Sequence, residues 1–137
     1  MEISQRHLEE VPILELRGSL LAGAPCIELR QKIQDLAKND PRVIIDLSQV
    51  DYIDSSGLGT LVASFTMLER AGGGLRILKP SERDMELLVL TKLASVFQVF
   101  DDEQAAVNSF FAGREAKKFD ILSFVQEQRR KREEDED

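Results

Sequence analysis

The sequence DSSGLG at positions 54–59 joins a strand pattern to a helix pattern. Residues 42–47 before it are apolar and rich in β-branched side chains, as expected of a strand buried on both faces. A loop is predicted over 48–54. Residues 60–70 after it carry apolar side chains at three-to-four spacing, which predicts a helix with one buried face. The sequence therefore predicts a strand–loop–helix unit of a mostly parallel sheet.

The same stretch predicts a place for a phosphate. Asp and Ser side chains cap helix starts, because their oxygens accept hydrogen bonds from the first free backbone N–H groups. A helix start also favours a negative group, through those N–H donors and the helix dipole. Ser55 and Ser56 are therefore suited either to holding a bound phosphate or to receiving one covalently.

Outward from this stretch, strands and helices alternate along the chain. The patterns predict strands over 2–8, 11–19, 75–79 and 96–100, and helices over 24–39, from Ser81 onward and over 102–112. Asp84 is the expected capping partner of Ser81, and Asp101 the expected cap of the helix over 102–112. The order ββαβαβαβα predicts an α/β fold, a mixed sheet in which an N-terminal antiparallel hairpin precedes βα units.

Composition changes near residue 113, which predicts one domain over 1–113 and a charged, helical tail over 114–137. The tail has an apolar patch within 119–125, then a basic run over 129–132 and an acidic run over 133–137. One interpretation is a helix docked on the domain with a solvated end. The other is a partner-binding arm, through which the chain would also self-associate.

Composition excludes several classes of protein. The chain has 137 residues and no apolar run of about 18, so we expect one domain and no membrane-spanning helix. The N-terminal residues are polar and acidic, unlike a signal peptide, and Cys26 is the single cysteine, so a cytoplasmic protein without disulfides is expected. The net charge of −7 argues against direct nucleic-acid binding.

Enzyme motifs fail at specific positions. A dinucleotide-binding G-x-G-x-x-G loop would need glycine at Val62, and the predicted loop of about seven residues before the glycines is too long. The chain has no Gly-Lys-Ser/Thr phosphate loop, and a Ser-His-Asp triad would have to recruit His7, the only histidine. We therefore expect no enzyme, no catalytic residue, no cofactor and no metal site.

The residues around DSSGLG carry a family resemblance. The stretches 43–48, 52–59, 73–78 and 97–100 resemble a STAS domain, and more narrowly the bacterial anti-sigma factor antagonists, over about residues 2–112. The resemblance implies a non-catalytic switch that sequesters an anti-sigma factor, which is also a serine kinase. That kinase would end the interaction by phosphorylating the serine directly after the motif aspartate. By position this serine is Ser55, with Ser56 as second choice. The implied partner-binding residues are Asp54, Ser55, Ser56, Gly57 and Leu58.

One stretch departs from the family pattern. Family members regulated in this way often carry an aspartate soon after the second strand, where this chain has the apolar or small residues LLAGA at 20–24. Two other functions stay open for a STAS protein of this kind. It would be a scaffold subunit of a larger STAS-containing signalling assembly, or a nucleotide- or lipid-binding STAS module.

Overall fold

A computed structural model describes residues 1–136 of the chain, as five strands and five helices. The strands are β1 (Glu2–Leu8), β2 (Val11–Leu20), β3 (Arg42–Ile53), β4 (Gly74–Leu78) and β5 (Gln98–Phe100). The helices are α1 (Ala24–Ala37), α2 (Ser55–Arg70), α3 (Glu82–Leu90), α4 (Glu103–Asn108) and α5 (Ile121–Glu136).

The five strands form one sheet in the order β1-β2-β3-β4-β5. β1 and β2 are antiparallel and are joined by a tight turn, whereas the other neighbours are parallel. Each parallel pair is connected by a helix, as parallel strands require. The predicted mixed α/β sheet, with its N-terminal hairpin, βα units and a C-terminal helix, is therefore confirmed.

The predicted loop over 48–54 is wrong, because β3 continues as a strand to Ile53. This extension pairs with β2 alone, since the pairing of β3 with β4 ends at Asp46. Two register shifts in the β2–β3 ladder accompany the extension. Such irregularities break the strict alternation of buried and exposed side chains, and they explain why residues 48–53 do not look like a strand in the sequence.

Several predicted boundaries also move. β4 and β5 span residues 74–78 and 98–100, and α1 ends at Ala37. α4 is shorter than the predicted helix over 102–112, and its cap is Asp102, which accepts a hydrogen bond from the Ala105 N–H at 2.9 Å. Asp101 is therefore not the cap. The capping box of α3 is confirmed, since the Ser81 hydroxyl accepts from the Asp84 N–H and Asp84 accepts from the Ser81 N–H.

The sheet is covered on both faces. The larger core lies between one face and α1, α2, α3 and the start of α5, and it contains Leu14, Ile45, Leu61, Ile77 and Leu88. The smaller core lies under α4 on the other face and includes Ile44, Phe100 and Val107. Covering both faces explains why the central strands β3 and β4 carry almost continuous apolar runs.

The tail packs against the domain through its first turns. The Phe119 N–H donates to the Val99 carbonyl of β5 at 2.8 Å, and Ile121 and Val125 of α5 are buried. Further along α5, Arg129 and Arg132 lie 3.6 and 3.8 Å from the carboxylate of Glu86 on α3. The remaining turns are exposed to solvent. In this structure the tail is thus a docked helix with a solvated end.

Candidate functional site

The DSSGLG stretch lies at the end of the sheet where the parallel strands finish. β3 ends at Ile53, α2 begins at Ser55, and Asp54 alone makes the turn. The backbone of Asp54 is extended, as is usual for a residue that caps a helix. The site is therefore built on the junction of a buried strand and a helix.

The Asp54 carboxylate ties two segments together. Its Oδ1 accepts a hydrogen bond from the Gly57 N–H at 2.8 Å, and its Oδ2 accepts one from the Ala22 N–H at 3.0 Å. The Asp54 N–H in turn donates to the Leu20 carbonyl at 3.2 Å. The Ala22 bond first, and then the Gly57 bond, lower the pKa of Asp54, so the group is a carboxylate at neutral pH.

Gly57 and Leu58 lie beneath the surface. A Cβ at Gly57 would clash with the Leu20 carbonyl oxygen and would lie 3.0 Å from Cγ2 of Ile53. Only glycine lets the first turn of α2 approach the end of β2 this closely. Leu58 is 8% exposed and belongs to the larger core. These two predicted contact residues therefore shape the surface from below.

Ser55 and Ser56 are the exposed residues of the first turn of α2. Within the part of the chain that the structure describes, neither hydroxyl makes a hydrogen bond, because Asp54 already caps the helix. Both oxygens are thus free to react with an incoming group. Their backbone N–H groups are among the first of the helix, which have no partner within it.

The glycines of DSSGLG do not form a phosphate-binding loop. Gly57 and Gly59 lie inside α2, whereas the glycines of a dinucleotide fingerprint lie in the turn before the helix. The predicted loop of about seven residues is not present before the glycines, since a single residue, Asp54, separates β3 from α2. Val62, a half-buried valine, occupies the third glycine position of the fingerprint, as the sequence indicated.

A surface groove runs beside Ser56, between α1 and α2, and is here called the α1–α2 groove. It encloses about 420 Å³. Its lining residues are Ala22, Gly23, Cys26, Ile27, Arg30, Ser56, Gly59 and Thr60. Cys26 and Thr60 are buried and form its floor, whereas the Ile27 side chain is 68% exposed at its rim. Ser56 lines this groove; Ser55 does not.

Sequence reasoning missed the α1 side of this groove. Cys26, Ile27 and Arg30 recur at helical spacing and so share one face of α1, which Gly23 directly precedes. An isoleucine outside the apolar stripe of a helix was the available signal. The sequence could not reveal which helix lies beside this face.

The structure also bears on membrane-spanning helices, clusters of metal ligands and the position of the single histidine. No helix among residues 1–136 is long and apolar enough to cross a membrane. Over the same residues, no three His, Cys, Asp or Glu side chains converge as metal ligands would. His7 is exposed on β1, which is the edge strand at the opposite side of the sheet from β4 and β5.

Comparison with known proteins assigns the chain to a family. The family model described as STAS domain matches residues 2–106. The chain belongs to the STAS domain family. Among STAS relatives, the anti-sigma-B factor antagonist of Bacillus subtilis (strain 168) is 34% identical over 79 residues, which cover 58% of this chain and 72% of the relative.

Solved structures agree with the STAS assignment at the level of the fold. The anti-sigma factor antagonist SpoIIAA in its unphosphorylated form has a TM-score of 0.66 at 21% identity, covering 79% of this chain and 95% of SpoIIAA. The phosphorylated form of the Bacillus SpoIIAA has a TM-score of 0.62 at 20% identity, covering 79% and 98%. The STAS match ends at residue 106, so α5 lies outside it.

Proposed function

We propose that the chain is a non-catalytic anti-sigma factor antagonist of the cytoplasm. In this proposal it sequesters an anti-sigma factor that is also a serine kinase, and phosphorylation of Ser55 ends the interaction. One observation carries the proposal: Ser55 is exposed at the first residue of α2, directly after a carboxylate that is fixed by two hydrogen bonds.

The geometry explains how a phosphate would act. A phosphoserine adds about −1.5 to −2 charges at neutral pH. Both carboxylate oxygens of Asp54 are engaged, so this side chain cannot turn away without losing bonds to Gly57 and Ala22. A phosphate on Ser55 would therefore stand next to a fixed negative charge on a surface that must be desolvated by the partner. A tenfold weakening needs only about 1.4 kcal/mol.

The helix start accommodates the phosphate without refolding. The cap of α2 is Asp54 and not a serine, so modifying Ser55 removes no hydrogen bond of the native structure. The dipole of α2 favours the added negative charge at the start of the helix. The switch therefore acts through surface charge.

The experiment combines the purified chain with the kinase-type anti-sigma factor of the same organism and ATP. Mass spectrometry should find one phosphate, on the peptide that contains Ser55, and none after Ser55→Ala. Ser55→Asp should weaken the complex at least tenfold. Ser4→Asp adds the same charge to an exposed serine of β1 and should bind like the wild type. Tight binding by Ser55→Asp together with an unmodified Ser55 would contradict the proposal.

A further inference from the structure

The two glycines in the first turns of α2, Gly57 and Gly59, differ in whether the fold requires them. The missing side chain of Gly57 is required by the fold, because a Cβ there would clash with the end of β2. A Cβ on Gly59 would meet nothing within 4 Å, and Gly59 is exposed. Glycine weakens a helix relative to alanine, so Gly59 is unfavourable for the isolated chain. The fold does not require glycine at position 59. A partner molecule that approaches this backbone closely would require it.

The surface around Gly59 has the form of a receptacle. Gly59 and Gly23 both line the α1–α2 groove, together with the buried residues Cys26 and Thr60. Ile27 projects at the rim with 68% of its surface exposed, although large aliphatic side chains are normally buried. A groove with small residues on its walls and an exposed isoleucine at its edge fits an apolar side chain of a partner.

The groove has one charged lining residue, Arg30. The ion pairs within residues 1–136 include none to Arg30, although the chain as a whole has seven more acidic than basic side chains. A guanidinium without a carboxylate partner at the edge of a small apolar groove is complementary to an acidic group brought by another molecule.

We propose that the α1–α2 groove is the seat of one short segment of the anti-sigma factor. An apolar side chain of that segment lies over Gly59 against Ile27, and a carboxylate of the same segment pairs with Arg30. This inference rests on the proposed function, since it takes the anti-sigma factor as the partner. It extends the docking surface from the DSSGLG stretch to the exposed face of α1.

The same binding site explains why phosphorylation of Ser55 would weaken the complex. Ser56 lines the groove and Ser55 precedes it, so a phosphate on Ser55 adds negative charge at the α2 end of the seat. The partner's carboxylate would then face that phosphate as well as Arg30. Repulsion between the two acidic groups opposes docking.

The test fills the groove and reverses its charge in the full chain. A Cβ at Gly59 meets no atom within 4 Å and leucine favours a helix over glycine, so Gly59→Leu should unfold at a temperature no lower than the wild type. It should nevertheless bind the purified anti-sigma factor at least tenfold more weakly in calorimetry. Ala63→Leu adds bulk to an exposed position one turn further along α2, outside the groove, and should bind normally. Arg30→Glu should weaken binding at least tenfold, whereas Lys32→Glu, on α1 outside the groove, should not.

The outcomes separate the two proposals. If the wild type binds and Ser55→Asp does not, but Gly59→Leu and Arg30→Glu bind like the wild type, the groove proposal is overturned and the switch stands. If the wild type itself does not bind the anti-sigma factor, the proposed function is overturned, and the groove proposal with it. A loss confined to Gly59→Leu and Arg30→Glu, with both control variants normal, supports the groove.

Discussion

Among the six residues of DSSGLG, some hold the start of α2 in place and the others are exposed at the surface. Asp54 and Gly57 hold the turn against β2, and Leu58 anchors it in the core. Ser55, Ser56 and Gly59 are left at the surface without an internal task. A strand–helix junction fixed by three residues can therefore present the others in a constant geometry.

The glycines give a test at this scale. Gly57→Ala should lower the free energy of unfolding by about 2 kcal/mol or more, because its Cβ would clash with backbone that cannot move freely. Gly59→Ala should raise the free energy of unfolding by about 0.5–1 kcal/mol, because alanine favours the helix and its Cβ meets no atom. Urea unfolding of the two variants beside the wild type measures both. Equal effects of the two substitutions would contradict the division of roles.

At the scale of elements, α5 extends the larger core beyond the STAS match. Its buried side chains, Ile121 and Val125, are four residues apart and so lie on one face. Leu122, on a different face, is 47% exposed. The charged half of the helix touches the domain through Glu86 of α3, at distances that indicate weak, solvent-screened pairs. The apolar first turns therefore provide most of the docking energy.

Two side-chain substitutions on α5 test which of its residues provide the docking energy. Val125→Ala removes buried methyl groups and should lower the free energy of unfolding by about 1–2 kcal/mol. Leu122→Ala removes a larger but exposed group and should change it by less than about 0.5 kcal/mol. Chemical denaturation gives both values. A larger loss for Leu122→Ala would mean that this side chain is covered in solution, as the arm interpretation of the tail requires.

At the scale of the whole molecule, one ionic cluster joins parts of the chain that are distant in sequence. Arg6 of β1 pairs with the buried Asp46 of β3 at 2.9 Å, with Glu15 of β2 at 3.3 Å and with Glu103 of α4. Burial alone would raise the pKa of Asp46, but hydrogen bonds from the Ser48 N–H and from Arg6 outweigh it and lower this pKa. The cluster couples the hairpin, the central strand and α4.

The lowered pKa of Asp46 predicts a pH dependence of stability. A carboxyl group whose pKa is lower in the folded state stabilises the fold above its unfolded pKa of about 4, and this contribution is lost as pH falls through the folded value. Arg6→Met should therefore lower the free energy of unfolding at pH 7 by about 1–2 kcal/mol, a moderate amount because Arg6 is 38% exposed. The difference from the wild type should shrink at pH 3.

Urea unfolding at pH 7 and pH 3 measures this difference. The control is Arg17→Met, which removes a guanidinium that is 61% exposed and pairs only with Glu15 among the described residues. It should change stability by less than about 0.5 kcal/mol at either pH. A constant effect of Arg6→Met at both pH values would show that the side chain acts by packing alone.

Sequence reasoning reached the fold because the buried strands and the capped helices follow local rules. The apolar run of β3 and the capping box at Ser81 needed no knowledge of distant residues. The extension of β3 to Ile53 depends on pairing with β2 across 32 residues or more, and no local pattern encodes it. The same holds for the α1–α2 groove, whose walls meet only because α1 and α2 cover neighbouring strands.

The hydrogen bond from Phe119 to Val99 has a consequence for how the chain behaves at high concentration. It occupies part of the outer edge of β5, whereas the outer edge of β1 has no neighbouring strand among residues 1–136. Open strand edges act as templates for pairing with other chains, and fibres grow only from molecules that offer two of them. The tail therefore shortens the second open edge, that of β5, and leaves β1 as the longer one, seven residues against three.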